Sequence, residues 1–143
     1  MPGIAKFIAF FLFLTVFVAY FVDIAVISFS KEDLRSSAVS AAKNAVIRHM
    51  DWAALRVGQP PYLLTEGIDE TIENVIETST NFRGVELEVE YHARSTPAVL
   101  SLIVEGSYPS SFLELSDYDQ GERALIPVRV TEIIESKYTT ENN

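Results

Sequence analysis

Two histidines, no cysteine and 20 Asp and Glu against 11 Lys and Arg set the chemistry open to this chain of 143 residues. His49 and His92 are far apart, and neither has a second His or a Cys at ligand spacing, so the pattern does not make a zinc site. His49 beside Asp51 reads as a packing or surface pair, because a catalytic dyad also needs a nucleophile and an orienting group. The sequence contains no G-x-S-x-G elbow and no Gly-rich phosphate loop. Glu66, Asp69, Glu70, Glu73 and Glu77 crowd one short stretch. On successive helical turns they would not converge on a single ion, and a solvated face is the expectation. Asp117, Asp119 and Glu122 around Gly121 come nearest to a calcium loop. They lack the third ligand and the spacing of that motif, so an acidic turn is the simpler reading. No catalytic constellation, no metal site and no cofactor is expected.

One charged residue does ask for a reason. Asp23 interrupts a run that is otherwise apolar from residue 7 to residue 30, and a carboxylate costs about 2.5–3.5 kcal/mol near mid-membrane. It could end the span at a hydrated interface. Alternatively, an assembly could bury it and supply a partner. Lys6 is the only basic side chain in that half, roughly 25 Å away along a helix, so it could pair with Asp23 only between staggered copies. Such a pair would fix the stagger as a buried polar pair fixes coiled-coil register.

The element that would position these groups is the run itself. Residues 7–22 carry no charge and include Phe7, Phe10, Phe11, Phe13, Phe17 and Phe21, spread around the helix as expected for a segment buried in lipid or among its own copies. A helix over residues 7–30 would be about 36 Å long, enough to cross a hydrocarbon core of about 30 Å. The run exceeds the apolar stretch of a secretory signal, so retention is expected. The distal domain is placed outside the cytoplasm, since long domains translocate largely regardless of nearby charge.

Residues 31–57 hold no Pro or Gly, and Leu34, Ala38, Ala41, Ala42, Ala45, His49, Trp52 and Ala53 recur at helical steps. Ser30 and Asp33 have capping-box spacing, yet nothing between residues 22 and 57 breaks a helix, so one rod over residues 4–57 is expected. Ala38, Ala42 and Ala45 form a flat surface for close approach, either to the chain's own sheet or to another helix. Gly58 and the prolines at 60 and 61 end the rod. Residues 68–82 read as a second helix with Ile68, Ile72, Val75 and Ile76 inside. At residue 85 the period drops to two, as Val85, Leu87, Val89 and Tyr91 alternate with Glu86, Glu88, Glu90 and His92. A more uniformly apolar, hence central, strand over residues 99–105 follows. Residues 112–115 could add a short strand, and residues 125–134 give a last one, placed at an edge or bulge by Pro127.

The expected fold is therefore α+β: a long apolar helix continuing as an amphipathic one, a short second helix, and a small antiparallel sheet of 3–4 strands. Its parts are residues 1–30 (membrane or filament-core helix), 31–57 (amphipathic continuation) and 62–143 (head). A net charge of −9 weighs against nucleic acid and anionic lipid as partners of the head.

The stretches FIAFFLFLTVFVAYFVD and SSAVSAAKNAVIRH, followed by a small sheet, resemble the type IV pilin superfamily. Within it they look most like the tight-adherence (TadE-like) minor pilins and the conjugation or secretion pseudopilins. The likeness covers about the first fifty residues. It implies a non-catalytic structural subunit whose apolar helix is held by lipid before assembly and packs with its own copies afterwards, alongside other pilus or secretion components. Phe10, Phe13, Phe17 and Phe21, with Ala38, Ala42 and Ala45, would be the packing residues. The alternative is a single-span membrane protein with an acidic, partner-binding head that does not polymerise.

Overall fold

The computed structural model describes residues 2–81, 86–109 and 123–134. Its dominant element is α1 (Pro2–His49), 48 residues in one helix, on the order of 70 Å long. It passes through residues 28–31 without interruption. The capping-box residue Asp33 does not start a new helix there. Its carboxylate instead accepts hydrogen bonds from the backbone N and the side-chain Nδ2 of Asn81, both at 3.0 Å.

The rod ends at His49, earlier than the expected residue 57. Nothing local forces the break, since residues 50 and 51 are Met and Asp. The returning chain makes it: Leu64 N donates to the His49 carbonyl (2.8 Å), Asp51 N donates to the Tyr62 carbonyl (2.9 Å), and Met50 forms a bridge with Leu63. Asp51, in an extended conformation, then caps a separate short helix, α2 (Trp52–Arg56), by accepting from Ala53 N and Ala54 N. Trp52 and Ala53, expected on the packed face of the rod, are exposed as a result.

Gly67, at φ 75°, leads into α3 (Ile68–Ser79), which buries Ile68, Ile72 and Ile76. Gly suits this left-handed position because a Cβ would crowd the following carbonyl. The helix stops at Ser79, short of the expected residue 82, as Ser79 and Thr80 hydroxyls turn back to the Val75 and Ile76 carbonyls. His49 Nε2 lies 2.9 Å from Thr71 Oγ1 near the start of α3, and Asp33 holds Asn81 beyond its end. α3 therefore lies antiparallel to the upper part of α1.

The sheet is β1 (Glu86–Arg94), β2 (Val99–Pro109) and β3 (Arg123–Ile133), antiparallel in the order β1-β2-β3. Ser95–Ala98 forms the β1–β2 turn, with a cis bond at Thr96–Pro97. β2 is central, as its apolar character predicts. Pro127 lies on β3, at one edge of the three, where a missing N–H is tolerated. Leu100, Leu102, Val104, Ile126 and Val128 are buried against α1, and Leu87, Val89, Tyr91 and Val130 are half-buried around them. Glu86, Glu88, Glu90 and His92 face outward, so the period of two holds along β1. The core is thus an α1–α3 layer on one face of the sheet, an α+β fold. A strand at 112–115 falls outside the described residues.

Candidate functional site

Two surfaces of α1 carry the functional question. Along residues 3–22 every side chain is exposed except that of Ala19, which is half-buried. Only 6% of the most apolar window of the helix is buried, unlike a core helix of a soluble domain, and this helix is long and apolar enough to cross a membrane. Twenty residues at 1.5 Å each give about 30 Å, the thickness of a hydrocarbon core. Phe10, Phe13, Phe17 and Phe21 are all exposed, three of them in a ladder: Phe13 and Phe17 stack at 6.0 Å, and Phe17 meets Phe21 at 4.6 Å. The steps of four place these rings on one ridge.

At Asp23 the surface changes. Asp23 is only 4% exposed, and Ser30 and Ser37 are buried with it. The three are seven residues apart and so lie on one face of the helix, which continues through Leu34, Ala38, Ala41, Ala42 and Ala45. A well-hydrated Asp23 ending the span is therefore contradicted: the carboxylate is covered within its own chain. Lys6, by contrast, is exposed far down the rod. A neighbour's Lys6 would meet Asp23 only where the packing over it opened. Ser30 Oγ, fully buried, has no hydrogen-bond partner among the described residues. The physical start of the head is thus Asp23, before the end of the apolar run at residue 30.

Ala38, Ala42 and Ala45 are each 0% exposed against β2, β3 and α3. Their small side chains admit the chain's own sheet, and a neighbouring subunit would not reach them. Of the other candidate residues, His49 is half-buried against Thr71. His92 and Glu90 are exposed, 3.8 Å apart. Glu66, Asp69, Glu70, Glu73 and Glu77 are exposed. Among the described residues no group of three His, Asp or Glu side chains comes together as a metal would require. Asp117, Asp119 and Glu122 lie outside the described residues. Sequence reasoning did not anticipate the Asp33–Asn81 clasp, the Asp51 cap or the Arg123–Glu86 ion pair. Only the Asp51 cap had a local signal, an acidic residue immediately before Trp-Ala-Ala-Leu.

Set against protein-family models, curated proteins and solved structures, the chain finds no match. Its class is defined by the fold itself: an α+β head built directly on the upper half of a single membrane-length helix.

Proposed function

We propose that this chain is a non-catalytic structural subunit of a pilus-like filament or secretion assembly. A membrane holds it by residues 3–22, with the head outside the cytoplasm, and the same segment packs among its copies on assembly. The observation that carries this reading is the continuity of α1. One helix is bare and apolar below Asp23 and forms the head's core above it, with no linker between. A head that only captures a partner gains nothing from a rigid connection to its anchor. A subunit whose helices pack in a common core needs one, because every head must leave that core at the same angle for identical contacts to repeat.

Shearing of intact cells followed by sedimentation without detergent tests the proposal. Filaments predict that the chain leaves the cell surface and pellets as large particles. Recovery solely in detergent extracts of the membrane, as a monomer, would replace the proposal with the anchored, non-polymerising head.

A further inference from the structure

The helices cover the sheet unevenly. α1 lies close over β2 and β3, and neither helix packs as closely on β1. The inward rows of the strands show the result. Leu100, Leu102 and Val104 of β2 and Ile126 and Val128 of β3 are buried, whereas Leu87, Val89, Tyr91 and Ala93 of β1 stay half-buried. β1 and β3 are both edges among the described residues, so edge position alone does not account for the difference. The free side of β1 is also a usable template. An edge strand presents a row of N–H and C=O groups, and the nine residues of β1 include no Pro or Gly to interrupt it. β3, by contrast, is blunted by Pro127.

The outward row of β1 gives the chemistry of what would fit there. Glu86, Glu88 and Glu90 are exposed at steps of two. Glu88 lies directly across from exposed Glu105 of β2, a like-charge pair that disfavours the sheet. Glu86 is balanced by Arg123, but no ion pair among the described residues includes Glu88 or Glu105. We infer that β1 accepts an additional strand from a partner protein, an extended segment in which Lys or Arg alternates with aliphatic residues. Its main chain pairs with the free side of β1, and its aliphatic side chains extend the half-buried row of Leu87, Val89 and Tyr91. Its cations then stand beside Glu88 and Glu90 on the outward face. A second copy fits less well, since two β1 strands would set glutamate against glutamate and β3 would bring Pro127 to the contact. The inference goes beyond the structural-subunit reading and holds equally for a chain that never polymerises.

The test uses the full chain in nanodiscs of zwitterionic phosphatidylcholine, with empty nanodiscs as the blank. The probe is a nine-residue peptide of alternating Lys and Val. It should bind, and the amides of residues 86–94 should gain protection from hydrogen exchange. A scrambled peptide of the same composition should bind about tenfold more weakly. So should the alternating peptide N-methylated throughout its central five residues, which keeps the charge but cannot donate to an edge. Glu88→Lys with Glu90→Lys in the chain should weaken binding of the alternating peptide by about tenfold. The peptide comparisons are made on the unaltered chain, so they stand even where the charge-reversed chain misfolds. Equal binding of the scrambled or N-methylated peptide reduces the contact to charge alone and overturns the inference. Protection gained elsewhere than residues 86–94, or undiminished binding to a folded charge-reversed chain, overturns it too. If the alternating peptide does not bind, the glutamates only guard the edge against self-pairing and the inference fails.

Discussion

Cutting the chain before Asp23 should leave a soluble, fully stable head, whereas cutting it after Ser30 should cost that head about 2 kcal/mol. The difference follows from the face of α1 covered between the two cuts. Asp23 and Ser30 are buried there, and Val26 and Ile27 are half-buried, Ile27 against the main core. Full burial of a Val or Ile side chain contributes about 1.5–3 kcal/mol, so two half-buried ones contribute about 2 kcal/mol together. That is a sizeable part of a total stability of about 5–15 kcal/mol. For a head of this size it lowers the melting temperature by roughly 5–10 °C. Both truncations remove the same exposed aromatic ridge, so solubility should not separate them. Thermal unfolding followed by far-ultraviolet circular dichroism gives the comparison directly. Equal melting temperatures would refute the reasoning, because residues 23–30 would then add nothing to the core.

Phe17→Ser should abolish filaments without releasing the chain from the membrane. One Phe contributes under about 1 kcal/mol to insertion, whereas losing a ring packed among helices costs about 3–5 kcal/mol. Wild-type filament yield in the sheared fraction would count against helix packing. Asp51→Ala should lower head stability by about 1 kcal/mol through loss of the α2 cap, read as a lower urea midpoint. Gly67→Ala should cost about 1–2 kcal/mol from its left-handed backbone. Its new Cβ would meet His49 Cε1 at 3.6 Å, an ordinary contact, so Gly67→Asn, which tolerates that backbone, should cost less; equal losses for the two would point to crowding instead.

The membrane-length helix and the strands were legible for opposite reasons. Residues 7–22 announce themselves by composition over a length no ordinary core helix needs. β1 announces itself by alternation, with Glu86, Glu88 and Glu90 marking the wet face residue by residue. The end of α1 was not legible, because its cause is backbone brought back from further along the chain: Tyr62, Leu63 and Leu64 return to pair with His49, Met50 and Asp51. Propensity favoured continuing through Trp52 to Arg56, and tertiary pairing overrode it. Asp33 shows the same limit. Its spacing from Ser30 fitted a helix start, yet its carboxylate serves a residue 48 positions away.

Asp23 shows how coverage by the rest of the chain decides what a local pattern leaves open. Its position in an apolar run suggested either hydration at an interface or a partner supplied by another subunit, and both readings treated α1 as bare at that height. The head reaches lower. It covers one face of α1 from Asp23 upward, with Ser30 and Ser37 following at seven-residue steps on the same face as Leu34, Ala38 and Ala45. If residues 3–22 lie in lipid, the membrane surface then meets the base of the head with no stalk between them. The head's rotation about α1 is set by its packing on the Ala face, not by a linker.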